Sequence, residues 1–193
     1  MSVEASTALK QHIYPVLTLI LVPGFVAAAP WVAGVFWPQL QVADTWEHAT
    51  VPISMTALGI TLVFGFVLEN LGSRLERWWA DDWLEREHPD LHANWADYLS
   101  LKTDGEIIGQ RYLRDIRLRF KFELSMVPAI MCSVAGLIVS QVLGHGLGLA
   151  KVVTLSIVLG LLWGILLVEI RGSARVLAKT RSIVIAACKQ SAS

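Results

Sequence analysis

Two short segments one hundred residues apart carry the side chains best suited to chemistry. In "VLENLGSR" (67–74) and "LVEIRGSAR" (167–175), Glu69, Gly72 and Ser73 are echoed by Glu169, Gly172 and Ser173. Each Glu closes a long apolar run, and Glu, Gly and Ser at i, i+3 and i+4 share one face of a helix. If the two faces meet, they form a paired-carboxylate site able to share a proton or a cation, since acids at membrane depth are functional suspects by default. The plainer reading has each Glu reaching into headgroup water and pairing with Arg74 or Arg171, while Gly and Ser let helices approach closely.

A second constellation, Glu85, His88 and His92, has the Glu-x-x-His spacing with a further His four residues on. On an unbroken helix the three would share a face and suit a metal ion. Pro89 interrupts that helix, so no metal is expected there. No nucleophile-and-base pattern, phosphate loop or dinucleotide fingerprint is present. The sequence therefore supports neither a cofactor nor an enzymatic activity.

The elements that position these residues follow from composition. Of 193 residues, 54% are hydrophobic and 17% charged, too apolar for an ordinary soluble domain. A hydrocarbon core of about 30 Å needs about 20 residues of helix. Four uncharged runs reach or approach that length: 13–36, 51–68, 124–143 and 152–168. No alternating ten-residue strands appear, so the expected fold is an all-α integral membrane protein with four transmembrane helices rather than a barrel. Lys10, the run 13–26 and Ala27–Ala29 resemble a secretory signal, but Pro30 follows the small residues and the apolar run continues to Phe36, which favours a retained first helix. Cys132 falls inside the third span and Cys188 in the basic segment after the fourth, so no disulfide is expected.

Nine of the sixteen Lys and Arg lie in 70–123 and five follow the fourth span, whereas 37–50 has none and the last turn has only Lys151. The positive-inside rule then gives an N-in/C-in protein of a bacterial-type inner membrane, with 1–12, 70–123 and the basic tail 171–193 cytosolic. Trp31, Trp37 and Trp46 fall where indoles anchor the outer interface.

The 70–123 region extends the second and third spans into a cytosolic helical hairpin. Thr103 and Glu106 form a capping box from which a helix can run without interruption to Pro128. Charge is segregated: 76–97 carries seven acids against two bases, and 111–121 five bases against Asp115. The strip Arg111, Arg114, Arg117, Arg119 and Lys121 reads first as the charge that sets orientation, and secondly as a site for anionic lipid or a protein partner. Without a binding motif, and with zero net charge, nucleic acid is not expected as a partner. Trp78, Trp79 and Trp83 either lie in the headgroup plane or form the hairpin core against Ile108, Tyr112 and Ile116, and the flanking acids favour the core.

Gly160 and Gly164 in "GLLWG" form a small-residue ridge of the kind that brings membrane helices together, within the bundle or between copies. The spans hold no Asp, Glu, Lys, Arg or His, which disfavours a coupled transporter. The expectation is a membrane-anchored platform for membrane lipids, further copies of itself or a cytosolic protein. Its alternative is an oligomeric ion channel or membrane-perturbing effector with Glu69 and Glu169 at the inner mouth.

Overall fold

The computed structural model describes residues 17–34, 46–82, 108–144 and 148–191, with the single positions 86, 89 and 98. Among these the chain is all helical, and four helices are long and apolar enough to cross a membrane. They are α1 (Leu17–Gly34), α2 (Trp46–Leu75), α3 (Ile108–Val142) and α4 (Leu149–Ser191). A π-helical turn, Glu76–Asp81, continues α2. The capping box at Thr103 and Glu106, and most of the 83–107 connection, lie outside the described residues.

Proline does not end the helices that contain it. Pro52 lies inside α2, where the Thr56 hydroxyl donates to the Pro52 carbonyl at 2.8 Å. Pro128 lies inside α3, which runs on to Val142 rather than stopping there. A proline removes one N–H, and a packed membrane helix tolerates that loss where neighbours and local adjustment satisfy the freed carbonyl. After Val142 the chain turns on glycine: Gly144 has φ +77° and donates to the Gln141 carbonyl at 3.2 Å. Gly148, at φ +93°, accepts from Val152 at 3.1 Å and opens α4. Both φ values are strained for residues with a Cβ.

Helix packing is set by small residues at the crossings, as expected where lipid gives little hydrophobic drive for association. A Cβ on Gly24 of α1 would fall 2.2 Å from the Thr61 carbonyl oxygen of α2, and one on Gly65 would fall 2.3 Å from the Ile20 carbonyl oxygen. Here two backbones touch. Gly136 of α3 admits the Trp31 indole, whose Nε1 donates to the Cys132 carbonyl at 3.1 Å. Trp31 is thus a packing residue between α1 and α3. Gly160 and Gly164, by contrast, meet nothing within 4 Å. Among the described residues, the two glycines of "GLLWG" take no part in close packing within this chain.

α3 is the hub. Its most apolar stretch is 56% buried, against 6% for that of α4. Met126, Ala129 and Ile130 pack with Ala27 of α1 and Leu68 of α2, while Phe120, Leu124 and Val127 pack with Ile170 and Ala174 of α4.

At about 1.5 Å per residue, the 35 residues of α3 span about 52 Å and the 43 of α4 about 64 Å, against about 30 Å of hydrocarbon. Tilting by 20° shortens a helix by only about 6%, so both are longer than a hydrocarbon core requires. The excess lies at the same end, where 108–123 of α3 runs beside 169–191 of α4. The basic segment 171–193 is therefore helical as far as Ser191. Ala174, Ala178, Arg181, Ile185 and Cys188 are buried at steps of three and four, the stripe of a helix covered on one side.

Candidate functional site

The charged residues converge where the helices leave the apolar band. Arg119 and Lys121 sit two positions apart on α3, so they project to nearly opposite sides of the helix. Each reaches a different neighbour. Arg119 Nη2 donates to Glu169 Oε1 of α4 at 2.5 Å, and Lys121 Nζ lies 3.8 Å from Glu69 Oε1 of α2. The Ser73 hydroxyl donates to the same Glu69 oxygen at 3.5 Å. The strip expected to orient the protein thus also fastens the two echoed glutamates to the central helix.

A third carboxylate completes the belt. Glu123 of α3 accepts from Arg119 Nε through Oε1 at 2.9 Å, and its side chain is only 6% exposed although that of Arg119 is 64% exposed. Glu123 Oε2 is buried with no hydrogen-bond partner among the described residues. A half-satisfied carboxylate at this depth depends on its one guanidinium, because removal of either partner of such a pair strands a buried charge. The sequence signal for Glu123 was available in "KFELS", an acid at the first turn of an apolar run.

At the belt α2 and α3 are in close contact. A Cβ on Gly72 would lie 2.8 Å from Ser125 Oγ and 3.1 Å from its backbone nitrogen, while the Ser125 hydroxyl donates back to the Lys121 carbonyl at 3.0 Å. Gly172 faces open space. The two Glu-x-x-Gly-Ser segments therefore occupy unlike environments: Gly72 is a contact and Gly172 an exposed position, and Glu69 and Glu169 hold separate cations. Ser73 and Ser173 are both half-buried.

Of the tryptophan cluster, only Trp78 has a described side chain. Trp78 is 76% exposed, and so is much of Tyr112, so neither belongs to a hairpin core; Ile116 is half-buried. The acids near 81–87 favour the core reading, but Trp78 lies on the exposed side of α2, at the end of its apolar stretch. The side chains of Trp79 and Arg111 are not described, and Trp83, Glu85, His88 and His92 lie outside the described residues. Arg114 and Arg117 are exposed. Among the described residues no three potential metal ligands come together.

The belt can hold three helices in register, present cations at the projecting end and keep one carboxylate nearly dry. The chain matches no known protein family, no curated protein and no solved structure, so its function has to follow from the belt and the helices that project beyond it.

Proposed function

We propose that the chain is a multi-pass protein of a bacterial-type inner membrane that holds a charged helical hairpin at the cytosolic face as a platform for a soluble protein or for further copies of itself. What supports this reading is length and charge: α3 and α4, with 35 and 43 residues, are longer than a hydrocarbon core requires, and the bases gather on the N-terminal part of α3, one arm of the 70–123 hairpin, and on the C-terminal part of α4 beside it. The Lys and Arg asymmetry supports a cytosolic position for it. The lipid-facing segments supply no comparable polar surface. A rival reading as an oligomeric pore draws on Glu69 and Glu169 as a ring of carboxylates at the inner mouth, but each holds a cation from α3 and neither is bare. A photo-crosslinking residue at Arg117, compared with one at Val153 near the far end of α4, tests the platform in cells. Protein adducts are expected at 117 and absent at 153; equal yields, or none at 117, would sink the proposal.

A further inference from the structure

The outward face of α2 carries a stripe whose two ends differ in chemistry. Val63, Phe66 and Val67 are more than half exposed, Asn70 and Leu71 follow, and Arg74, Arg77 and Trp78 close the stripe. These residues recur at steps of three and four, and they lie opposite the buried face formed by Thr61, Gly65, Leu68 and Gly72. From Val51, the first exposed apolar residue, to Leu71 the helix rises about 30 Å, the thickness of the hydrocarbon core. Arg74 and Arg77 therefore stand at headgroup level with aliphatic surface directly beneath them.

Two of the described acids near this end are engaged by other cations. Glu69 is held by Lys121 and Ser73, and Asp82 pairs with Arg86 at 3.2 Å. Two guanidinium groups three residues apart present several N–H donors to one side, the arrangement that suits a phosphate oxygen pair. Trp78, three-quarters exposed, has an apolar ring and one N–H donor, which places it at the same level.

The geometry points to a phospholipid site on α2: the phosphate of one anionic phospholipid is held by Arg74 and Arg77, Trp78 stacks beside the headgroup, and an acyl chain lies along Val63, Phe66 and Val67. This assignment rests on the chain being embedded in a bilayer and is independent of the platform reading. Crosslinking at Arg117 can fail while lipid binding stands.

The full-length protein in detergent, titrated with phosphatidylglycerol or phosphatidylcholine and analysed by native mass spectrometry and thermal unfolding, provides the test. Wild type should retain about one phosphatidylglycerol and be stabilised by it in preference to phosphatidylcholine. Arg74→Gln/Arg77→Gln should bind phosphatidylglycerol about thirtyfold more weakly, as expected from losing two bases at the surface. Arg74→Lys/Arg77→Lys keeps the charge without the fork and should fall between, while Lys151→Gln, at the far end of α4, should bind as wild type. Helix content by circular dichroism shows that each variant is folded; should the Gln pair not fold, the Lys pair and Trp78→Ala decide by the same readout. No lipid preference in wild type, undiminished binding by the folded variants, or equal stabilisation by inorganic phosphate would each overturn the assignment.

Discussion

Alanine at Gly65 and at Gly160 should move stability in opposite directions. A methyl group at Gly65 arrives 2.3 Å from the Ile20 carbonyl oxygen and 2.6 Å from Ile20 Cγ2. Carbon–oxygen contact needs about 3.3 Å, so α1 must retreat by about 1 Å. A gap of that size forfeits roughly a quarter to a half of the dispersion energy of each contacting pair. Overpacking of this kind costs about 1–3 kcal/mol, offset by up to about 1 kcal/mol from the better helix propensity of Ala. The net loss, about 1–2 kcal/mol, lowers Tm by about 2–8 °C for a chain of this size. At Gly160 nothing lies within 4 Å, so only the propensity gain remains and Tm should hold or rise slightly. Thermal unfolding of both variants in one detergent, followed by tryptophan fluorescence and circular dichroism, gives the comparison. If Gly65→Ala melts at or above Gly160→Ala, α1 and α2 do not meet through backbone contact and the packing scheme is wrong.

Arg119→Met should destabilise by about 2–3 kcal/mol because it strands Glu123, and Arg119→Met/Glu123→Leu should recover most of that loss; a double variant no better than the single would show that the Glu123 charge is not the cause. Glu69→Gln and Glu169→Gln should each cost under about 1 kcal/mol and add within about 0.5 kcal/mol, since they hold different cations. Marked non-additivity in thermal stability would restore a shared carboxylate site. In a cysteine-free background, Lys179→Cys should react with an impermeant maleimide only after cells are opened and Leu149→Cys before, the reverse pattern inverting the topology. Trp31→Phe, which removes the donor to the Cys132 carbonyl, should cost about 1 kcal/mol by the same unfolding assay; a wild-type Tm would rule out that hydrogen bond as a contributor.

Spans of this kind are legible from run length alone, because lipid leaves a helix few alternatives. Their partners are not. Gly24 and Gly65 make the closest approaches and Gly34 and Gly136 follow, yet nothing beside them in the sequence distinguishes them from Gly160 and Gly164, which have the better-known spacing and touch nothing among the described residues. A small-residue motif states that a close approach is permitted; which helix uses it depends on the other three. The continuation of α4 is readable in the steps 174, 178, 181, 185 and 188, although basic residues interleave them. In the belt, the types at Glu69 and Glu169 were visible, but their partners were expected next to them in sequence and come instead from α3. Glu123 escaped because its depth depends on α4 covering it, a property no local window contains.

The unbroken passage of α4 across the boundary makes it a lever. With about 30 Å of helix beyond Glu169 and no proline from Leu149 to Ser191, a sideways displacement of about 5 Å at the tip tilts the whole rod by about 10°. The fulcrum is the Arg119 clamp, and Arg119 shares its helix with the cation that grips α2. A displacement at the far end of α4 is therefore expected to reach the Lys121–Glu69 contact of the belt through helix alone, with no loop between to absorb it.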